Sequence, residues 1–114
     1  MLKKENRLKK RIAFAATYKT GKVVHGDGIT IFLGREKTND SPTKIGFVVS
    51  KKIHKRAVKR NRIKRLMRES IRLLIKEGSM PNKHISLIFV ASTKLLGRSF
   101  NQINTSMKTL VSRL

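Results

Sequence analysis

The sequence contains no cysteine and no tryptophan, and it has one tyrosine, two prolines and six acidic residues among its 114 residues. Without cysteine the chain cannot form a disulfide framework, a thiolate zinc site or a cysteine nucleophile. This composition is typical of a reducing compartment, and we expect a cytoplasmic protein. The few acidic residues are scattered along the chain, a pattern that does not suggest a two-metal catalytic centre.

Long apolar runs are also missing from the sequence. The apolar stretch that follows the basic N-terminus, residues 12–16, is far shorter than the roughly 20 residues that a membrane-spanning helix needs. It is also too short for the hydrophobic region of a signal peptide. We therefore expect neither a membrane anchor nor an export signal.

Basic residues dominate what is present: 28 lysines and arginines against six acids give a formal net charge of +22. A charge of this size opposes compaction of the chain unless an anionic partner neutralises it. The hydrophobic content of 39% still supports a packed core, and 114 residues suffice for one domain. We expect a single domain over residues 1–114, of which residues 1–11 form a flexible basic arm.

Hydrophobic periodicity and turn residues divide the chain into seven elements. The patterns predict helices at 12–20, 57–77 and 99–114, and strands at 23–24, 29–33, 45–50 and 85–91. The unit formed by the third strand, the long helix and the fourth strand indicates that these two strands are parallel. The predicted fold class is α+β, a two-layer α/β sandwich in the order α-β-β-β-α-β-α, with helices packed on a four-stranded mixed sheet.

The predicted helix at 57–77 has two contrasting faces. Its apolar face consists of Ile63, Leu66, Met67, Ser70, Ile71 and Leu74, and its opposite face carries Asn61, Arg65, Arg68 and Arg72. Twelve of the 28 basic residues lie within residues 51–77, together with only two acids. Solvated helix faces normally mix lysine with glutamate, so a face that is nearly all cationic indicates a surface that binds phosphate.

Nucleic acid is favoured over a membrane surface as the anionic partner. The apolar face of the basic helix is accounted for by packing on the sheet. The sequence also has no tryptophan with which to form an aromatic belt at a membrane surface. We find no zinc-finger spacing, no heptads behind a basic region and no helix-turn-helix signature, so DNA is not expected. RNA is therefore the favoured partner, although charge alone does not separate it from DNA.

A segment near the middle of the chain resembles the signature of the bacterial ribonuclease P protein subunit. Its core is Arg60-Asn61-Arg62, followed by Ile63-Lys64-Arg65 and preceded by Ser50-Lys51-Lys52-Ile53. Further matches are Arg7-Leu8-Lys9-Lys10 in the arm, then Phe14, Tyr18, Gly21 and Phe32. The chain departs from the family at His54-Lys55-Arg56, which is one residue longer and lacks a glycine, and at His84, where the family often has an acid.

The resemblance implies both a fold and a function. It implies a left-handed crossover between the two parallel strands, as in one ribosomal protein domain. General statistics for such connections would instead predict a right-handed crossover. It also implies that the chain binds a catalytic RNA, one protein to one RNA, and together with it removes the 5′ leader from precursor tRNA. The chemistry would belong to the RNA and its Mg²⁺, with no catalytic residue and no metal site in the protein.

Two groups of residues follow from the same resemblance. Those implied to contact the catalytic RNA are Arg60, Asn61, Arg62, Lys64, Arg65, Arg68 and Arg72. Those implied to line a cleft for the single-stranded leader of precursor tRNA are Phe14, Tyr18, Phe32, Lys51 and Lys52.

Simpler interpretations of these patterns stay open. Phe14 and Tyr18 are spaced to pack a short helix, and Phe32 fits the core of a sheet. The three histidines, His25, His54 and His84, suit surface or capping roles better than catalysis. For the whole chain, the alternatives are a small basic ribosomal or ribosome-assembly protein and a DNA-compacting architectural protein.

Overall fold

A computed structural model describes residues 2–114 of the protein. Within this range the elements are α1 (Arg11–Lys19), β1 (Val23–Gly26), β2 (Ile29–Leu33), β3 (Lys44–Val48), α2 (Ala57–Lys76), β4 (Ser86–Ala91) and α3 (Phe100–Val111), with short 3₁₀ turns at Lys4–Asn6 and Thr93–Leu95. The predicted α+β class and element order are confirmed. The bounds differ by a few residues: β1 runs on to Gly26, and α3 ends at Val111 instead of Leu114.

The four strands form one mixed sheet in the order β1-β2-β4-β3. Strand β4 pairs antiparallel with β2 and parallel with β3, so the predicted parallel arrangement of the strands on either side of α2 is confirmed. Strands β1 and β2 form a hairpin closed by Asp27 and Gly28, whose φ angles are 45° and 86°. Positive φ at both residues is what a two-residue turn needs to keep the twist of its strands.

The hydrophobic core lies between one face of the sheet and the helices α2 and α3. Met67 of α2, Met107 of α3, and Ile31 and Phe89 of the sheet are all completely buried. The predicted apolar face of α2 is therefore confirmed. Each such burial stabilises the fold by about 1.5–3 kcal/mol. This layer fixes α2 against the sheet and leaves the cationic face of the helix toward solvent.

Helix α1 covers part of the other face of the sheet, which we call the outer face. The buried Thr17 and Ser86 hydroxyl oxygens lie 2.5 Å apart and join α1 to β4. Phe14 lies over Gly46 of β3, where an added Cβ atom would be 2.6 Å from the Phe14 ring. The missing side chain at Gly46 thus allows α1 to approach the strand.

The basic arm packs against the domain over residues 2–8. Leu2 is 2% exposed and belongs to the hydrophobic core, and the Leu8 amide donates to the Ile45 carbonyl at 2.9 Å. These two apolar anchors were not predicted from the sequence, because basic residues adjoin both of them in the chain. Met1, the first residue of the predicted arm, lies outside the described residues, and the mobility of the arm stays a prediction.

A polar clamp joins the β1–β2 turn to the start of α3. The Asp27 carboxylate accepts hydrogen bonds from the Ser106 hydroxyl and from Arg98 Nη2, the latter at 3.1 Å. Ser99 caps α3 through a reciprocal pair of hydrogen bonds with Gln102. The Ser106 hydroxyl and the Arg98 guanidinium hold the pKa of Asp27 below its ordinary value.

We expect this clamp to make the stability of the protein depend on acid pH. The Asp27 carboxyl has a lower pKa in the folded than in the unfolded chain, so its stabilisation is complete above the unfolded pKa. That stabilisation is lost as the pH falls through the folded pKa. Asp27→Asn, which also tolerates positive φ, should lower the melting temperature at neutral pH, by an amount that shrinks in acid. Thermal unfolding between pH 2 and pH 7 tests this, roughly spanning carboxyl titration.

The exposed Asp40 provides the control for the clamp. Asp40→Asn removes the same charge from a loop outside the clamp, and we expect it to leave the pH profile of the melting temperature unchanged. An Asp27→Asn profile parallel to that of the unmodified protein at every pH would contradict the role of the clamp.

Candidate nucleic-acid interface

The solvent face of α2 presents polar and cationic side chains. Asn61 and Arg65 are exposed there, one helical turn apart, and the face points away from the core. Arg72, further along, is paired with Glu69 at 2.6 Å, and this guanidinium lowers the pKa of the Glu69 carboxyl. Of the residues predicted to contact the catalytic RNA, Asn61 and Arg65 are therefore the most openly placed.

Two arginines of the motif bind backbone carbonyl groups of the protein itself. Arg60 Nη1 donates to the carbonyl oxygens of His54 and Lys55 at 2.9 and 2.8 Å. Arg62 Nη2 donates to the carbonyl oxygen of Arg98 at 3.1 Å. Arg60 thus orders the connection before α2, and Arg62 ties α2 to the segment that starts α3. These bonds leave other guanidinium donors of both residues available for RNA.

The connection before α2 is one of the two places where the sequence was predicted to depart from the family pattern. His54 Nδ1 accepts a hydrogen bond from the Arg56 amide at 3.0 Å, and Arg60 binds the carbonyl oxygens described above. The longer connection is therefore closed by its own side chains. Lys51 and Lys52, just before it, are exposed at the end of the sheet where β3 and β4 terminate.

The predicted leader-contact aromatics come together on the outer face of the sheet. The Tyr18 and Phe32 rings pack edge to face with their centroids 4.8 Å apart, and Phe14 lies one helical turn before Tyr18. Tyr18 is 39% exposed, and its partial burial raises the pKa of its hydroxyl. These side chains both pack α1 on the sheet and border open surface, so the packing interpretation and the contact interpretation are compatible.

The floor beside these aromatics was missed at the sequence level. Thr30, Val48 and Val90 are paired across β2, β3 and β4, and all three are half-buried. Their side chains share the outer face with Phe32, since they lie at alternate positions of the strands. We call the surface formed by Phe14, Tyr18, Phe32, Thr30, Val48 and Val90 the outer cleft. The alternation of these strands was the signal that could have revealed it.

Lys64 and Arg68 border a surface that Arg65 does not, although all three were predicted to share one role. Both line a groove at the β3 edge together with Phe14, Gly46 and Phe47. Lys64 and Arg68 therefore lie where the cationic face of α2 meets this groove, while Arg65 faces solvent one turn from Arg68.

The titratable groups of the described residues do not assemble into a catalytic cluster. No three histidine or acidic side chains within residues 2–114 are placed to hold a metal ion. Asp27 and Glu69 are engaged by Arg98 and Arg72. His84, for which a surface or capping role was predicted, is buried at 8% exposure, and this burial lowers its pKa. None of the helices in this range is both long enough and apolar enough to span a membrane.

Comparison with known proteins identifies the family. A family model described as ribonuclease P matches residues 2–114. The ribonuclease P protein component of Clostridium kluyveri is 36% identical over 107 residues, covering 94% of this chain and 92% of that protein. The chain belongs to the ribonuclease P protein family. Its Clostridioides difficile relative, of the same name, is 37% identical over 106 residues, covering 93% of this chain and 89% of that one.

Solved structures of the family share the whole fold. The ribonuclease P protein of Staphylococcus aureus superposes with a TM-score of 0.80 at 28% identity, covering 96% of this chain and 95% of that one. The Thermotoga maritima ribonuclease P protein gives a TM-score of 0.80 at 25% identity, covering 95% and 96% of the two chains. The resemblance inferred from Arg60-Asn61-Arg62 is therefore confirmed over the full described range.

Proposed function

We propose that this chain is the protein subunit of a ribonuclease P ribonucleoprotein, in which it binds two different RNA segments. The solvent face of α2, with Asn61 and Arg65, would contact the catalytic RNA. The outer cleft, with Lys51 and Lys52 at its end, would bind the single-stranded 5′ leader of precursor tRNA. The observation that carries the proposal is the separation of a cationic surface from an aromatic one on opposite sides of the sheet.

The two surfaces suit these partners for different physical reasons. Arginine binds phosphate bidentately, and neutralising phosphates releases condensed counterions, so the α2 surface suits a folded RNA backbone. Exposed aromatic edges beside an apolar floor suit unpaired bases, which stack without regard to sequence. A folded RNA and a single strand can then be bound at once by a domain of 114 residues.

The protein would position RNA and neutralise charge while the RNA performs hydrolysis. The described acidic residues do not fit a metal site, so no step is derived through a metal on the protein. Mg²⁺ held by the RNA partner would stabilise charge at the cleaved phosphate. The cations of α2 would lower the repulsion that otherwise demands high Mg²⁺, and the outer cleft would align the leader with the cleavage point.

Cleavage of precursor tRNA at low Mg²⁺ tests this proposal. A cognate bacterial ribonuclease P RNA alone should cleave slowly under these conditions, and addition of one equivalent of the protein should restore removal of the 5′ leader by at least tenfold, roughly 1.4 kcal/mol of barrier. An equal charge concentration of polylysine is the control for neutralisation without structure. Absence of stimulation by the folded protein would overturn the proposal, and RNA binding without cleavage would favour a purely structural RNA-binding role.

A further inference from the structure

The groove at the β3 edge has the composition of a second single-strand site. It encloses about 190 Å³ between the basic arm and α2, and none of its ten lining residues is acidic. Arg7 and Lys9 of the arm form one rim, and Lys64 and Arg68 of α2 form the other. Phe14, Gly46 and Phe47 contribute to the floor. We call this feature the edge groove.

The arm is held in the position that creates this groove. Arg7 Nε donates to the Leu2 carbonyl at 3.0 Å, and Asn6 Nδ2 donates to the Thr43 carbonyl at 3.2 Å. Leu2 itself is in the core, and Arg7 forms a parallel bridge with Ile45. Leu8 is the last described arm residue with a backbone hydrogen bond to β3, so the arm separates from the edge at Lys9. The wall is therefore built from anchored backbone.

The edge groove continues the outer cleft. Phe14 borders both, because its ring lies over Gly46 at the outer face while it also lines the groove. A strand stacked on the aromatics of the cleft would reach the β3 edge at Phe14. Beyond that point it would meet cations on two sides and a floor that includes Phe47.

We propose that the docked arm is one wall of a second subsite for the single-stranded leader of precursor tRNA, in which Lys9 binds leader phosphates opposite Lys64 and Arg68. This assignment rests on the proposed function and moves Lys64 and Arg68 from the catalytic RNA to the substrate. An unpaired strand is the RNA form that combines exposed base faces with a charged backbone, and an apolar floor between cationic rims matches both. In this subsite the cations of the arm would bind phosphates because the docked arm holds them in place, and not as mobile charge.

The experiment measures affinity of the reconstituted holoenzyme for precursor tRNA and for mature tRNA at several salt concentrations. Lys9→Ala and Lys64→Ala should each weaken precursor binding about three- to tenfold and reduce the salt slope by about one, while mature tRNA binding is unchanged. The loss should vanish when the leader is cut too short to reach the groove. Lys94→Ala, an exposed cation outside both RNA surfaces, is the charge-matched control.

A second set of variants separates position from charge. Leu2→Ser releases the anchor of the arm without changing any charge, and it should reproduce the loss of precursor affinity seen for Lys9→Ala. Leu2→Met keeps an apolar anchor of similar volume and should bind normally. Thermal unfolding of both variants shows whether the domain is intact, and the Lys9→Ala and Lys64→Ala results do not depend on the anchor.

The outcomes distinguish this inference from the proposed function. Full precursor affinity in a folded Leu2→Ser protein, alongside a loss in Lys9→Ala, would overturn it by showing that the arm acts as untethered charge. Equal losses for precursor and mature tRNA would overturn it by placing catalytic RNA in the groove. In both cases the unmodified holoenzyme would still cleave precursor tRNA, whereas failure of the proposed function removes cleavage altogether.

Discussion

Gly46→Ala is expected to destabilise the protein by roughly 1–3 kcal/mol and to abolish the preference for precursor over mature tRNA that the proposed leader cleft would confer. The added Cβ would lie 2.6 Å from the Phe14 ring and 3.3 Å from a methyl group of Leu8. Gly46 is in β3 between Ile45 and Phe47, which pack into the hydrophobic core on the other face, so the strand cannot retreat from α1. The Phe14 ring must therefore move, and with it the junction of the outer cleft and the edge groove.

A double variant separates this clash from a general loss of packing. Phe14→Ala alone should weaken precursor binding while leaving mature tRNA binding intact. Phe14→Ala combined with Gly46→Ala should be more stable than the sum of the single changes, because the ring that the Cβ meets is gone. Denaturant unfolding gives the stabilities, and additive stability losses would show that Gly46 is not required for the approach of α1.

Arg62→Ala combined with Arg65→Ala is expected to weaken binding to ribonuclease P RNA about a hundredfold and to lower its salt slope by about two. Arg65 is exposed on the solvent face of α2, and Arg62 is beside it with free guanidinium donors. Removal of an arginine leaves one phosphate without a protein cation, so fewer counterions are released on binding. Filter binding across a salt series measures both the affinity and the slope.

The single variants should differ in stability. Arg62→Ala deletes the donor to the Arg98 carbonyl and should lower the melting temperature, whereas Arg65→Ala should leave it unchanged because the structure shows no partner for Arg65 among the described residues. Lys94→Ala again serves as the control for loss of charge. A salt slope unchanged in the double variant would exclude this face as the catalytic-RNA surface.

Much of the fold could be predicted because its elements bury one regular stripe each. Ile63, Met67 and Leu74 recur at helical spacing along α2, and Ile103, Met107 and Leu110 do the same along α3. The alternation of β2 likewise predicts which of its residues face the core. Such patterns are local: the spacing of apolar residues within one element predicts which of its faces packs into the core, whatever its neighbours are.

The contacts that fix the site were harder to predict because they join residues that look ordinary in isolation. Asp27 reads as a turn residue and Arg98 as a surface cation, yet they meet across the molecule. Arg62 and Arg65 are indistinguishable in sequence, and only the placement of the Arg98 carbonyl separates their roles. Leu2 is followed by two lysines, so the local sequence gives no sign that it is buried. Its burial comes from β3, which is distant in the chain.

Strand β4 is the last strand in the chain, yet it lies inside the sheet between β2 and β3. During synthesis the β1–β2 hairpin can form early, but β3 has to wait for β4 to emerge before it gains a strand neighbour. Completion of the sheet therefore depends on contacts between segments far apart in the chain, which slows folding. Both proposed RNA surfaces depend on that sheet, so a nascent chain would gain the geometry proposed for RNA binding only late in translation.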